Sequence, residues 1–299
     1  MIGLIDVDQT GFPNLALMKL SAWYKAHGEQ TALLKPSDVL TGANLFQPYD
    51  KLYGACVFTR NAEIAKALQV QGVHVGGSGI GSKEVLPDEI EHMMPDYSLY
   101  GITDTAYGFL TRGCPRGCPF CIVANKEGRA SRKVADLSEW WSGQKHIVLM
   151  DANILASRDR LDLLKQLADS KALVDYSQGL DARLLDDDVI TLINATRTKR
   201  LHFAWDNPRD TRTRDCLELA SQKLRIKDAS RRAVYVLTNY WSTLQEDLYR
   251  VYWLREHHFD PYVMIYDKEH APRQIRRLQR WCNNRIIYGA CKRFEDYEG

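Results

Sequence analysis

Cys114, Cys118 and Cys121 fall within eight residues, in the stretch Thr111-Arg112-Gly113-Cys114-Pro115-Arg116-Gly117-Cys118-Pro119-Phe120-Cys121. Thiolates are soft ligands, and three of them at Cys-x3-Cys-x2-Cys on one loop suit an iron–sulfur cluster or zinc. Gly113 and Gly117 let the backbone wrap closely around a bulky object. Arg112 and Arg116 supply positive charge that favours thiolate over thiol. Three sulfurs rather than four leave a metal position open, as catalytic zinc sites do, whereas an electron-transfer 4Fe–4S cluster uses four cysteines. Zinc would need a fourth ligand. His74, His92 and His146 are present, but none stands at a zinc-site spacing from the loop.

The 299 residues are enough for one large domain or two unequal ones. Hydrophobic residues at 45% and charged residues at 26% fit a globular protein with a real core. With 40 basic and 38 acidic residues the net charge is +2, so the whole chain carries no signal for nucleic acid or membrane, and only a local patch could. No run approaches the roughly 18 apolar residues that span a bilayer. The first eight residues, Met1 to Asp8, lack the basic start and long apolar core of a signal peptide, and the expected location is the cytoplasm. Seven cysteines in a reducing compartment point to metal binding or catalysis rather than disulfides.

The elements that must position the loop read as two α/β stretches. The first has strands at 2–7, 31–34, 52–59 and 73–75. Its helices lie at 15–27, capped by Asn14 and stopped by Gly28, and at 61–71, ended by Gly72. Alternating strands and helices imply a parallel sheet. Gly76-Gly77-Ser78-Gly79-Ile80-Gly81 is either a flexible turn, the favoured reading, or a phosphate approach. Residues 82–103 read as a linker. The second stretch has strands at 105–110, 146–150, 173–177, 200–204, 233–238 and 262–266. Its helices lie at 158–168, 187–195, 211–223, 244–256 and 273–281, and the helix after the cysteine loop is the least defined. Six such units suggest an open or partial barrel with its chemistry in the loops after the strands. The predicted fold is therefore α/β: a partial (β/α)6 TIM-like barrel over 99–270, preceded by a small Rossmann-like α/β domain over 1–98 and followed by a basic helical tail over 271–299.

The spacing Cys114-x3-Cys118-x2-Cys121, with aromatic Phe120 before the last cysteine, resembles the signature of radical S-adenosylmethionine (radical SAM) enzymes. The resemblance covers the whole second stretch, since that family's core is a partial six-unit β/α barrel with the cluster loop after its first strand. Leu110-Thr111-Arg112-Gly113-Cys114-Pro115 also looks like members with a cobalamin-binding-like domain before the barrel, or like methylthiotransferases. The resemblance implies that Cys114, Cys118 and Cys121 hold a 4Fe–4S cluster whose free iron chelates S-adenosylmethionine. One electron then cleaves an S–C bond, and the 5′-deoxyadenosyl radical abstracts hydrogen from a substrate. The cofactor carries the chemistry, and the protein supplies position and exclusion of water.

Residues at the later strand ends can be assigned by the same resemblance. Asp151 and Asn153 stand where many members have Gly-Gly-Glu for the SAM amino group; the departure leaves capping of the next turn as an equal alternative. Arg183 suits the SAM carboxylate, because guanidinium binds carboxylates bidentately, with an ion pair to Asp186 or Asp187 as the other reading. Gln178 and Asp181 are placed to hydrogen-bond the ribose. Trp205 either stacks on adenine or packs in the core. Thr238 and Asn239 fall in the region of adenine contacts, although the usual Gly-x-Ile-x-Gly pattern is missing.

Cobalamin is admitted by the resemblance but not favoured. There is no Asp-x-His-x-x-Gly, His27 does not fit one, and the segment is short for a cobalamin fold. A methylthiotransferase would place more cluster cysteines in the first domain, where only Cys56 stands. That domain is expected to be a degenerate scaffold or a partner-binding module. In the tail, Arg273, Arg276, Arg277, Arg280, Arg285, Lys292 and Arg293 interleave with Trp281, Tyr288 and Phe294. This is either a solvated helix face, the favoured reading, or a nucleic-acid surface. Cys216, Cys282 and Cys291 are too widely spaced to favour an auxiliary cluster. The expectation is a radical SAM enzyme acting on a small molecule, peptide or nucleic acid, with flavodoxin or ferredoxin as electron donor and no membrane partner. The alternatives are a cobalamin-dependent methyltransferase and a non-catalytic iron–sulfur or zinc module that binds nucleic acid.

Overall fold

The computed structural model describes residues 1–42 and 49–299. The chain divides into two compact units, Met1–Gly108 with Ala135–Ile147, and Phe109–Val134 with Val148–Gly299. Among the described residues no helix is long and apolar enough to cross a membrane.

In the first unit β1 (Ile2–Asp6) is buried along its whole length. Asn14 caps α1 (Leu15–Ala26), its side chain accepting from Leu17 N at 3.2 Å. Gly28 closes that helix at φ +82°, a conformation open to glycine at little steric cost. β2 (Thr31–Leu34), α2 (Pro36–Leu40), β3 (Lys51–Ala55), α3 (Ala62–Val70) and β4 (His74–Gly76) follow. The strands form a parallel sheet in the order β2-β1-β3-β4. Successive residues of β1 point to opposite faces. Ile2 and Leu4 pack with Leu17 and Tyr24, while Ile5 and Val7 pack with Ala65 and Leu68.

The structure departs from the predicted elements here in three places. β3 ends at Ala55 rather than 59, because the Asp8 carboxylate takes the N–H groups of Val57 and Phe58 that would have extended the ladder. The glycine run is an ordered turn: Gly79 N donates to Cys56 O at 2.9 Å, and a Cβ on Gly77 would lie 2.2 Å from that same oxygen. Residues 82–103 are not a free linker. They carry α4 (Asp88–Glu91), Lys19 pairs with Glu91 at 2.9 Å, and Asp96 N donates to Met18 O at 3.1 Å.

The remaining elements are β5 (Thr105–Gly108), β6 (Thr111–Arg112), α5 (Val123–Lys126), β7 (Arg132–Lys133), β8 (His146–Leu149), α6 (Arg160–Asp169), β9 (Leu173–Tyr176) and α7 (Asp187–Ala195). They continue with β10 (Thr198–Ala204), α8 (Thr211–Lys223), β11 (Arg232–Thr238), α9 (Leu244–Glu256), β12 (Asp260–Ile265), α10 (Arg273–Asn283) and α11 (Arg285–Ala290). The predicted strand 105–110 is split. Gly108 lies against Trp140, where a Cβ would sit 2.2 Å from the indole, and β6 turns away to pair antiparallel with β7. A six-stranded sheet takes the order β12-β11-β10-β9-β8-β5, each strand beside its sequence neighbour in that set. β9 to β12 pair in parallel. The chain is thus α/β with two parallel sheets.

Helices of the second unit bury residues at helical spacing: Leu163, Leu164 and Leu167 in α6; Val189, Ile190 and Ile193 in α7; Val251 and Leu254 in α9. Each fully buried side chain of this size contributes about 1.5–3 kcal/mol. β12 is an edge strand, and edges invite unwanted pairing. Here α10 covers it: Val263 N donates to Asn283 Oδ1 at 2.8 Å, and Gln279 Nε2 donates to Val263 O at 3.1 Å.

His202 of β10 is 9% exposed and stacks on Tyr235 of β11 with ring centroids 5.4 Å apart. Its Nδ1 lies 2.9 Å from Tyr176 O, with Asp175 at 3.9 Å and Arg200 and Asp260 nearby. Burial lowers its pKa below the ordinary 6.5. The unfolded chain therefore takes up a proton near 6.5 that the folded chain refuses until lower pH. Its contribution to stability is full above that value and is lost as pH falls through it. Denaturation midpoints at pH 7.5 and 5.5 should show this loss, and His202→Gln should reduce the difference between them.

Candidate metal centre

The cysteine loop hangs between β6 and β7 and is tied down by two carboxylates. Asp151, after β8, accepts from Leu110 N at 2.8 Å, Thr111 N at 2.6 Å and Thr111 Oγ1 at 2.6 Å. Both its oxygens are thus spent on the chain, and the residue expected to face a ligand is an anchor of the loop. Burial pushes its carboxyl up to about 7, against the pull of those three donors. Glu127, after α5, accepts from Gly113 N at 3.1 Å and from the Arg112 guanidinium at 3.0 Å. Gly113 has φ +88°, and a Cβ there would lie 2.2 Å from Ala130 O. Cys114 N donates to Gly128 O at 3.1 Å and Cys121 N to Cys118 O at 3.0 Å. These bonds fold the loop back on itself with all three cysteines partly exposed and in no disulfide.

The thiols feel one another. Burial pushes the Cys118 thiol up, the charge of Arg116 opposes this, and Asp206, Cys114 and Cys121 add to it. Asn153, 3% exposed, directs its Nδ2 at Cys114 Sγ, 3.6 Å away, while its buried Oδ1 has no partner. Neither it nor Asp151 serves as a side-chain cap for the turn that follows.

Arg183 is engaged by carboxylates other than the two named from sequence. It grips Asp181 bidentately at 2.8 and 2.7 Å and approaches Asp210 at 3.5 Å, while Asp186 caps α7 and pairs with Arg160. Arg116 of the cysteine loop stands 3.7 Å from Asp181. Its two arginines hold the Asp181 carboxyl below the usual range despite burial. Gln178 is exposed on the same loop after β9. A string of alternating charge, Arg116, Asp181, Arg183 and Asp210, therefore joins the cysteine loop to the ends of β9 and β10.

Of the two readings of Trp205, the structure gives core packing. Trp205 is 1% exposed and packs edge-on against Trp253 and Tyr249, so it belongs to the core. Thr238 is fully buried with Oγ1 donating to Met264 O at 3.2 Å, which leaves nothing for a ligand. Asn239, at φ +60°, donates from Nδ2 to Tyr266 O at 2.9 Å and shapes the turn after β11. That turn delivers Tyr240 and Trp241 to Phe120, with centroids 5.6 and 5.5 Å away, and Tyr266 meets Tyr240 at 4.7 Å. Phe120 is thereby one ring of a four-ring group beside the cysteines.

Arg250 of α9, which the sequence reading missed, braces these loops. It has no exposed surface, and it donates to Asp206 O at 2.9 Å, to Leu237 O at 2.8 Å and to Trp205 O, while pairing with buried Asp247. Its sequence signal is faint: an arginine at a position whose helical neighbours Val251 and Leu254 are buried.

Among the described residues no group of three or more His, Cys, Asp and Glu side chains is close enough together to hold a metal ion. The donor set fits an iron–sulfur cluster: three partly exposed cysteines on one loop, and an orphaned buried Asn153 oxygen beside Cys114. Cys282 is buried and donates to Pro261 O at 3.3 Å, Cys291 donates to Arg293 O at 3.0 Å, and Cys216 sits on α8. No protein-family model matches the chain, and no curated protein matches it.

Two substitutions test this framework. Gly113→Ala should lower iron uptake severalfold, because the loop must move to admit the methyl group. Arg250→Met should cost about 3–5 kcal/mol in chemical denaturation by stranding buried Asp247. Unchanged iron in the first, or unchanged stability in the second, would refute the corresponding role.

Proposed function

We propose that the chain is a radical SAM enzyme whose 4Fe–4S cluster is held by Cys114, Cys118 and Cys121. The observation that carries the reading is a loop with three protein sulfurs and no fourth, set among strand-end loops of a parallel sheet. The sequential strand order supports reading the second sheet as the wall of a partial (β/α)6 barrel, and the order β2-β1-β3-β4 supports a small Rossmann-like domain before it. A 4Fe–4S cluster held by Cys114, Cys118 and Cys121 would supply one-electron reductive cleavage of S-adenosylmethionine.

The chain's own residues have distinct tasks in this reading. Arg116 favours the thiolate form of Cys118. The free Oδ1 of Asn153 would accept from the SAM ammonium, and Asp151 serves by holding the loop rather than by touching the ligand. Arg183 has one guanidinium edge on Asp181, and its third nitrogen, 3.5 Å from Asp210, is the one to meet the SAM carboxylate. Phe120 and Trp241 shield the loop from water on one side. The reductant would be a flavodoxin- or ferredoxin-type donor.

Anaerobic reconstitution followed by dithionite and S-adenosylmethionine should give 5′-deoxyadenosine, with about four iron atoms per chain. Cys118→Ala should lose iron and abolish the product while the circular dichroism stays unchanged. A protein that takes up zinc alone, or a Cys118→Ala variant that keeps its iron, would falsify the assignment.

A further inference from the structure

We infer that the exposed face of α10, together with the aromatic group beside the cysteine loop, binds a single strand of nucleic acid. As a binding surface this needs no cluster and does not rest on the radical reading. The charge is strongly segregated. Residues 271–293 contain seven basic side chains and no acidic one, a net charge of +7 in a chain whose total is +2. Ile275, Leu278, Trp281 and Cys282 of α10 are buried, which leaves Arg273, Arg276 and Arg280 on the exposed face. Arg277 is taken up by the backbone oxygens of Tyr297 and Gly299, and Arg285 has Asp260 at 3.8 Å. Among the described residues no carboxylate pairs with Arg273, Arg276 or Arg280. Three unneutralised guanidinium groups along one helix suit a row of phosphates, each able to take a phosphate bidentately.

The aromatic group gives the reason for a single strand. Trp241 is 39% exposed and Tyr266 43% exposed, both in ring contact with Tyr240. Unstacked bases gain by stacking on such rings, and a duplex keeps its bases out of reach. Tyr266 directly follows β12, α10 begins seven residues later and then runs along that strand, with Gln279 and Asn283 bonded to Val263. Tyr266 thus adjoins the strand that α10 flanks, and Trp241, on the turn after β11, is joined to Tyr266 through the Tyr240 ring. An anionic membrane is the poorer occupant, because the apolar stripe that would enter the bilayer is already buried in the protein.

The test is fluorescence anisotropy on the full reconstituted chain with a labelled 18-mer of single-stranded RNA and the DNA of the same sequence. The wild type should bind at least one of them, and more tightly than a duplex of that length. The combined variant Arg273→Gln, Arg276→Gln, Arg280→Gln should bind roughly tenfold more weakly, with a slope of log K against log salt shallower by about 2. Trp241→Ala should weaken binding roughly tenfold with the slope unchanged, since stacking releases no counterions. Melting curves report whether each variant folds, and 5′-deoxyadenosine formation reports separately on the radical reading. No binding of either strand at 50 mM salt, an unaltered slope in the arginine variant, or binding to anionic vesicles in preference to both strands overturns the inference.

Discussion

The Arg250 guanidinium has no exposed surface, and its two terminal nitrogens donate to the carbonyls of Trp205, Asp206 and Leu237, where β10 and β11 end. Leaving water is costly for a charge, and the cost is offset only when partners are fixed in position. The requirement therefore runs outward from α9. It sets where the chain leaves β10, which positions Asp206, and where it leaves β11, from which the turn carries Tyr240 and Trp241. Asp151 does the same with opposite sign on the other side, gathering Leu110 N, Thr111 N and the Thr111 hydroxyl. The loop ends on both sides are held by buried polar side chains bonded largely to backbone.

What these anchors hold in place is a surface with divided labour. The sulfurs remain partly exposed and the residues around them carry paired charge, so the loop is accessible without being flexible. Arg183 and Asp181 neutralise each other while keeping one guanidinium nitrogen weakly engaged. The rings of Phe120, Tyr240, Trp241 and Tyr266 meet edge-on at the same place, the arrangement aromatic quadrupoles prefer. A group of three thiols, a charged strip and an apolar wall thus adjoin.

The long elements were legible because their signals are local. Helices over Asp187–Ala195, Thr211–Lys223 and Leu244–Glu256 follow from apolar spacing and from caps at Asp186, Asp210 and Thr243, all within a few residues of the element they start. The strands from β9 onward, read from apolar runs, agree to within one or two residues at their ends. The failures are equally physical. β6 and β7 are two residues each and show no periodicity, and the indole of Trp140, distant in sequence, lies where a Cβ on Gly108 would stand at the end of β5.

For the candidate site, sequence alone determined residue type and spacing: three thiols on a glycine-bearing loop, arginines within it, and a stretch over 271–293 with seven basic residues and no acidic one. Those are properties of covalent order. Only the tertiary structure decided which polar groups are already spent. Asp151, Thr238 and Trp205 proved to be occupied by backbone or core, Arg183 found Asp181 and Asp210 rather than its nearer carboxylates in sequence, and Arg250 acquired a role no local pattern announced. Hydrogen-bond saturation depends on partners tens of residues away, and burial turns a side chain from a ligand contact into a support; neither is encoded in any one stretch of the chain.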